Sequence, residues 1–374
     1  MDERDLRKIV GLRHELHARP ELSEQEAWTK RRIMEFLEDE TTLAVVDCGR
    51  WAYAARYVEG TRAVAFRADM DALPMPEELD VPWTSTVEGV SHKCGHDGHC
   101  AALCGLALLL ERIDCPRSVY LIFQHAEETG TGAVECAPFL PERHVSEVYA
   151  LHNRSGYPEG SVVLRRGLCQ CASKGLSVRM EGRPSHASEP EKGRSPVRAL
   201  SELALFADEL WKDAWHGMAF CTIVGLLIGG RDFGIAPGAG ELHMTLRADR
   251  EADMEAFDAK IRTKALELAK GGGLRATFET RDAFPETLND DACVDRAERV
   301  ARSLGLDVIE MDEPWRASED FGWFTKRAAG AMIYVGNGDA WPALHTSGYD
   351  FNDRILGTMA ELLLGIYQDG ILDA

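Results

Sequence analysis

The chain has 374 residues, which is long for a single core and predicts two domains. Its apolar content of 45% and charged content of 28% are typical of a soluble globular protein. The formal net charge of −20 gives an acidic surface, which argues against nucleic acid or an anionic membrane as a partner.

The ten cysteines are scattered along the chain, so they favour free thiols in a reducing cytosol over a disulfide scaffold. The chain begins MDERDLRKIV, which is charged and lacks the apolar core of a signal peptide. No apolar run reaches the length of about 18 residues that a membrane span requires. We therefore expect a cytoplasmic protein.

The amino-terminal part predicts two helices followed by three strands. Apolar residues at helical spacing predict a helix over 4–17, which Pro20 ends. Ser23 and Glu26 have the spacing of a capping box and predict the start of a second helix that runs through Glu38. Strands are then expected at 44–47, 51–57 and 63–67.

The stretch from His92 to His99 reads HKCGHDGH and combines one thiol with three imidazoles and a carboxylate. Cysteine and neutral histidine are the ligands that Zn²⁺ and similar transition metals select. A buried helix is predicted at 96–112, so Cys94 and His96 lie in the turn that enters it, where a thiolate is stabilised. The alternative is a loop that holds these residues by chance.

Strands predicted at 119–123 and 148–151 lead into further candidate ligands. The first is followed by Glu127 and Glu128, the second by His152. In open α/β sheets, sites are built past the carboxyl ends of the strands, so we expect these groups to converge. Taken singly, the two glutamates are typical of an exposed acidic turn and the histidine of a hydrogen-bonded loop.

A site for two metal ions needs a set of shared and terminal ligands and a base for the bridging water. The candidate ligands are Cys94, His96, Glu128, His152 and His345. A carboxylate beside such a ligand can accept a proton from the bound water, which suits Glu127.

From about residue 170 the pattern changes to β-α-β-β-α-β, which is typical of a ferredoxin-like sandwich. Its elements are expected at 173–180, 194–211, 219–228, 240–248, 251–270 and 274–280. We predict a domain over 169–283 that is inserted into a catalytic domain formed by 1–168 and 284–374. The last part is expected to hold a helix at 292–303, strands at 308–311 and 331–335, and a closing helix at 351–368. Cys169 and Cys171 are expected to be two free thiols at the hinge.

Ordered motifs over nearly the whole chain resemble a family of metal-dependent amidohydrolases and peptidases. The motifs are RHELH…PE at 13–21, RADMDALP at 67–74, CGHDGH at 94–99, QHAEE at 124–128, LHN at 151–153, SHA at 185–187, SEDF at 318–321 and LHT at 344–346. The family includes hippurate hydrolases, N-acyl-amino-acid amidohydrolases and indole-acetyl-amino-acid hydrolases. The resemblance is to the branch of aminoacylase/carboxypeptidase-like dinuclear metallopeptidases with Cys in the metal site.

The resemblance implies an α/β fold, in which a mixed-sheet catalytic domain carries an inserted ferredoxin-like α+β lid that serves for dimerisation. It implies that Cys94 bridges two divalent ions (Zn, Mn, Ni or Co) and that Glu127 is the general base. The other ligands would be His96, Glu128, His152 and His345.

Three further residues acquire roles by the same resemblance. Asp71 matches an acidic residue that orients the site from behind the ligands. His186, in the lid, matches a histidine that contacts the substrate or its oxyanion, in some relatives from a partner subunit. Arg247 matches a lid arginine suited to a substrate carboxylate. Without the family, His186 is typical of a surface histidine and Arg247 of a salt-bridged strand arginine.

The chain departs from the family pattern on the substrate side. His125 stands where relatives have Pro, and Gly234 where they have Asn. Glu191 and Ser195 replace a second His and an Asp after His186. These changes leave the metal ligands intact and concern the choice of substrate.

The expected activity is hydrolysis of the amide bond of N-acyl amino acids or related small carboxylated amides, by a metal-bridged water. The expected assembly is a homodimer through the lid, with no nucleic acid or membrane partner. One alternative is a dipeptidase or carboxypeptidase-like peptidase on the same site. Another is a thiol enzyme with Cys94 as nucleophile and His96 or His99 as base, and a third is an inactive binding homologue.

Overall fold

The computed structural model describes residues 1–213 and 215–372, with side chains described up to residue 370. The helices are α1 Glu3–Ala18, α2 Ala27–Glu40, α3 His96–Leu110, α4 Gly132–Cys136, α5 Phe139–Glu142, α6 Val197–Glu209, α7 Glu251–Gly272, α8 Asp291–Ser303, α9 Gly322–Thr325 and α10 Leu356–Leu372. None of the described helices is both long enough and apolar enough to cross a lipid bilayer.

The strands carry the labels β1 to β16 in chain order. They are β1 Ala44–Asp47, β2 Ala52–Arg56, β3 Ala63–Asp69, β4 Val119–Gln124, β5 Val145–Ser155, β6 Val162–Leu164, β7 Gly167–Gln170, β8 Ala172–Glu181, β9 Ser185–His186, β10 Ala219–Ile228, β11 Ile235–Ala236, β12 Ala239–Ala248, β13 Arg275–Phe284, β14 Thr287–Asn289, β15 Val308–Glu310 and β16 Ala329–Gly338. The predicted elements are confirmed, with shifts at their ends.

The chain divides into two compact units. The first contains residues 1–169, 287–314 and 319 onward. The second contains residues 170–286 and the short segment 315–318.

The first unit is built on a mixed eight-stranded sheet in the order β1-β2-β4-β3-β5-β16-β6-β15. Its central strands β4, β3, β5 and β16 are parallel, and β2 runs antiparallel to β4. Strands β3 and β4 are buried along their whole length, because a parallel sheet is covered on both faces. The predicted mixed α/β class is thereby confirmed.

Helix α3 lies in the core of this unit, where it packs against α1 and α10. Every residue of α3 is buried, including the histidines of its first turn. A helix that is apolar all round is stable only inside the protein. Its burial fixes the position of the polar residues at its amino end, and these residues belong to the candidate site.

The second unit has a four-stranded antiparallel sheet in the order β10-β12-β8-β13, with helices α6 and α7 in its core. Along the chain its elements follow the order β8-α6-β10-β12-α7-β13. This is the ferredoxin-like β-α-β-β-α-β arrangement.

The predicted capping box at the start of α2 is wrong. The carboxylate of Glu21, not the Ser23–Glu26 pair, accepts hydrogen bonds from the backbone of Trp28 and Thr29. Ser23 Oγ instead donates to Asp71 Oδ2 at 2.7 Å, and Glu26 Oε1 accepts the backbone N–H of Ala126 at 2.7 Å. Both residues that looked like a local cap are therefore bonded to distant segments.

The closing helix α10 begins at Leu356, five residues later than predicted. Asn352 accepts the backbone N–H of Arg354 and starts a 3₁₀ turn over Asp353–Ile355, which replaces the expected first turn of the α-helix.

Candidate metal centre

Gly95 makes the turn that aims Cys94 and His96 into one cavity. Its φ of +100° lies in the left-handed region, which glycine adopts without strain. A side chain at this position would meet Asn153 and Tyr349. Cys94 and His96 thus lie in the turn at the amino end of α3, as the sequence had predicted.

The candidate ligands form two groups that share the thiol of Cys94. Its sulfur and one side-chain atom each of His96 and His152 lie within 4.8 Å of one another. The same sulfur forms a second such group with Glu128 and His345. Cys94 Sγ is 3.5 Å from His152 Nε2, and His345 Nε2 is 3.5 Å from Glu128 Oε1. This is the arrangement that two cations joined by one thiolate require.

The donor set fits divalent transition metals. His96 Nε2 and Glu128 Oε1 are buried, and neither has a hydrogen-bond partner among the described residues. Burial lowers the pKa of His152, so its ring is neutral and able to coordinate. Its Nδ1 lies 2.7 Å from the Asn153 carbonyl, which turns Nε2 toward Cys94. Thiol, imidazole and carboxylate together suit ions such as Zn²⁺.

A strained turn brings Glu127 and Glu128 to the same cavity. Successive residues of a strand face opposite ways, but β4 ends at Gln124 and Ala126 has a φ of +50°. The carbonyl of Ala126 accepts hydrogen bonds from the backbone of Thr131 and Gly132, which hold the turn. A left-handed alanine costs of order 1 kcal/mol and persists because its surroundings impose it.

His345 is also held in a left-handed conformation, with a φ of +60°. Its backbone N–H donates to the carbonyl of Lys93 at 2.8 Å, next to Cys94. This bond joins two candidate ligands that are far apart in the chain. Half of the His345 side chain is exposed, so it lies at the open side of the site.

Asp71 connects the two ligand groups from behind. His96 Nδ1 lies 2.9 Å from the Asp71 carbonyl and 3.2 Å from its carboxylate, which leaves Nε2 facing the cavity. The other carboxylate oxygen accepts the Glu128 backbone N–H at 2.9 Å and the Ser23 hydroxyl. Such contacts fix the direction of a ligand and raise its basicity.

Glu127 is buried beside the candidate ligands, with Oε2 3.9 Å from His96 Nε2. Burial raises its pKa well above the usual range, and the charges of Glu319 and Glu128 add to this effect. A carboxylate with a raised pKa holds a proton more readily, which is what a general base needs after it has taken one.

Several polar residues of the centre received no role from the sequence. The pair Asp69 and His99 is joined by a 2.6 Å contact, and His99 Nε2 lies 2.6 Å from Asn153 Oδ1. Arg67 pairs with Asp69, Glu319 and Asp320. All of them fall inside the motifs RADMDALP, CGHDGH, LHN and SEDF, which was the available signal.

The expectation that His152 follows a strand is wrong, because β5 extends to Ser155. Its pairing with β16 continues through His152, opposite Tyr334. His125, the departure from the family pattern beside the base, is fully buried and its Nε2 lies 3.2 Å from Glu135 Oε2. It is therefore not a surface residue, and neither of its ring nitrogens has a hydrogen-bond partner among the described residues.

His186 and Arg247 lie in the second unit. The ring of His186 is exposed, and its Nδ1 accepts the backbone N–H of Ser188 at 3.1 Å. Arg247, on β12, donates to the Arg316 carbonyl at 2.7 Å and to the Ser318 hydroxyl at 2.9 Å. Gly234 is beside His186, since its carbonyl accepts the N–H of Ala187. Glu191 and Ser195 follow on the same exposed segment.

Comparison with known proteins gives the following matches. The model of peptidase family M20/M25/M40 matches residues 65–369. Hippurate hydrolase of Campylobacter jejuni is 30% identical over 359 residues, which cover 93% of each chain. N-acetylcysteine deacetylase of Bacillus subtilis is 26% identical over 336 residues, which cover 88% of each chain. A Bacillus subtilis structure described as a dinuclear metal binding peptidase from the M20 family superposes with a TM-score of 0.83 at 24% identity, covering 100% of this chain and 99% of that one.

The contacts of Asp71 lead to a prediction about metal affinity. Replacement Asp71→Asn removes the negative charge behind His96 and the Glu128 backbone, so we expect divalent-metal affinity to fall about 10- to 100-fold. Competition with a chromogenic chelator, followed by elemental analysis, measures this. Ser23→Ala, which removes only one hydrogen bond to the same carboxylate, should weaken binding much less. Wild-type affinity in Asp71→Asn would contradict this role.

Proposed function

We infer the function from one premise: the chain belongs to peptidase family M20/M25/M40. It is a metal-dependent hydrolase that acts on amide bonds. We propose that its substrates are N-acyl amino acids or related small carboxylated amides. The names of the two curated relatives support this class, since both denote enzymes that act on N-acyl amino acids.

The observation that carries the proposal is the sharing of Cys94 between two ligand groups beside a buried carboxylate. When bound there, two divalent ions of the Zn, Mn, Ni or Co type would polarise an amide carbonyl and acidify water. Cys94, His96, Glu128, His152 and His345 would hold them.

Glu127 acts as the base in this proposal. It takes a proton from the attacking water and passes it to the nitrogen of the leaving amine. Its raised pKa favours the proton-bearing state between these two events. Burial also raises the pKa of Cys94, which weighs against the alternative in which its thiolate is the nucleophile.

Replacing Glu127 separates proton transfer from metal binding. In Glu127→Gln the amide keeps the volume but cannot accept a proton, so we expect hydrolysis of N-acyl amino acids to fall at least about 100-fold while metal content stays near normal. Steady-state kinetics and elemental analysis of the same sample measure both quantities.

Metal removal is the companion test of the same assignment. Wild-type activity should disappear with a strong chelator and return with one of the four metals. Activity that survives complete chelation would overturn the metal-dependent mechanism. Loss of metal in Glu127→Gln would make this residue a ligand and not the base.

The second unit is proposed to serve the substrate. The backbone N–H and the hydroxyl of Ser188 both contact Nδ1 of His186, which leaves Nε2 as the ring nitrogen that would donate to a developing oxyanion. Arg247 has no carboxylate partner within 4 Å among the described residues, and a guanidinium binds a carboxylate in bidentate fashion. We propose that Arg247 binds the substrate carboxylate.

These two roles predict different kinetic defects. Arg247→Ala should raise KM at least about tenfold for an N-acyl amino acid and leave KM unchanged for the matching N-acyl amino amide, which lacks the carboxylate. His186→Ala should lower kcat by about 100-fold or more with both substrates. Equal losses for acid and amide in Arg247→Ala would assign the arginine a structural role.

The edge strand β10 supports a homodimer through the second unit. It lies at one end of the four-stranded sheet, and Val224 and Leu227 on it are 66% and 62% exposed. An apolar edge strand is a ready surface for pairing with a second copy.

The proposed compartment is the cytoplasm. All ten cysteines are free thiols, which is typical of a reducing compartment, and cell fractionation tests this proposal.

Charge at this edge should separate the dimer. We expect sedimentation velocity to show a dimer for the wild type and a monomer for Val224→Lys/Leu227→Lys, because two copies would then place like charges opposite each other. Leu266→Lys, on helix α7 and 53% exposed, is the matched control and should remain dimeric. A monomeric wild type, or a dimeric double variant, would contradict the proposal.

A further inference from the structure

A second cavity of the first unit lies at the amino ends of the parallel strands, opposite the metal centre. It has a volume of about 700 Å³ and is lined by residues just before or at the start of four strands and by the first turn of α8. The residues used below are Arg62, Arg117, Glu147, Asp290, Ala292 and Arg296. Strand β3 has seven residues, so the two sites are roughly 20 Å apart.

Arg117 is a buried cation with few partners. The residue is 8% exposed, and its Nε has no hydrogen-bond partner among the described residues. One Nη donates to the carbonyl of Tyr367 at 3.3 Å, and the guanidinium lies 5.5 Å from the centre of that ring. None of the described carboxylates forms an ion pair with it. A buried charge in this condition is costly unless a ligand supplies the counterion.

The other charges of the cavity leave one positive charge in excess. Arg296 pairs with Glu147, and Asp369, which lies 3.4 Å from Arg296 Nε, pairs at 2.7 Å with Arg299 outside the lining. Asp290 caps α8 by accepting the backbone N–H of Cys293 at 3.1 Å. Arg62 is exposed at the cavity and forms no ion pair with a described residue. The cavity lining thus holds three guanidinium groups and two carboxylates, both of which already have partners.

The rest of the lining is largely apolar and small. It includes Pro116, Ala292, Cys293 and Ala329. A ligand that fits must present one negative charge to Arg117 and apolar surface to these side chains. A singly charged organic acid meets both conditions better than inorganic phosphate, which carries more charge and has no apolar part.

We propose that this cavity is a binding site for a small organic monocarboxylate, held by Arg117 with Arg62 at the entrance. The site is separate from the metal centre, so its occupation does not depend on the ligands of the metals. Guanidinium groups bind carboxylates through two parallel N–H···O bonds, and the apolar wall receives the remainder of the molecule.

Saturation-transfer NMR with benzoate, benzamide and inorganic phosphate tests the proposal on the metal-loaded protein. We expect benzoate to bind with a Kd of about 1 mM, and the neutral isostere benzamide to bind about tenfold more weakly. Arg117→Gln should weaken benzoate binding about tenfold and leave kcat for amide hydrolysis unchanged. Arg198→Gln, an exposed arginine of the second unit, is the matched control and should bind benzoate as the wild type does.

Two further variants test the same cavity if Arg117→Gln does not fold. Ala292→Phe fills the cavity from an exposed position of α8 and should exclude benzoate without changing any charge. Arg62→Gln should weaken binding by a smaller factor. Equal benzoate binding in the wild type and all variants would place the acid at the metal centre and overturn the proposal. Absence of benzoate binding, or tighter binding of phosphate than of benzoate, would overturn it as well.

Discussion

The metal centre depends on one buried cation, Arg67. Its guanidinium is almost fully buried and pairs with Asp69, Glu319 and Asp320, while its Nε donates to the Gln124 side chain at 2.7 Å. These contacts join the ends of β3 and β4 to a segment nearly 200 residues further along the chain. Removing one member of a buried ionic network leaves uncompensated charge and costs about 3–5 kcal/mol. The network therefore ties the ends of β3 and β4 to the segment at 319–320, and the geometry of the candidate metal centre depends on that contact.

The same network raises the proton affinity of Glu127, the proposed base. Glu319 and Asp320 are paired with Arg67, yet they stand close enough to Glu127 to raise its pKa. Arg67 allows this crowding of carboxylates, because without its charge the three could not share one buried region. A single arginine thus stabilises the fold of the site and helps to give Glu127 the proton affinity that its proposed role requires.

Elements with strong local patterns were predictable from the sequence, and contacts between distant segments were not. Strand β4 is apolar up to Gln124, β3 begins with four apolar residues, and α3 is apolar on every face beyond its first turn, so local pattern and tertiary structure agree in these elements. Ser23 and Glu26 had the spacing of a helix cap, but Asp71 and the Ala126 backbone offered buried partners that a local pattern cannot reveal. The left-handed Ala126 and His345 belong to the same class, since neither residue type signals a positive φ and only the surrounding bonds impose it.

Because the chain is acidic, an arginine without a carboxylate partner is unexpected in it. With 62 acidic and 42 basic residues, most guanidinium groups can find a partner, and Arg67 and Arg296 do so. Arg117, which is buried, and Arg247, which is half-buried, have none within ion-pair distance among the described residues. Salt screens the overall charge beyond about 10 Å, so an anionic ligand responds to the nearest groups and not to the net charge. This local attraction is why we propose a carboxylate ligand for each of the two arginines, although the protein carries a net negative charge.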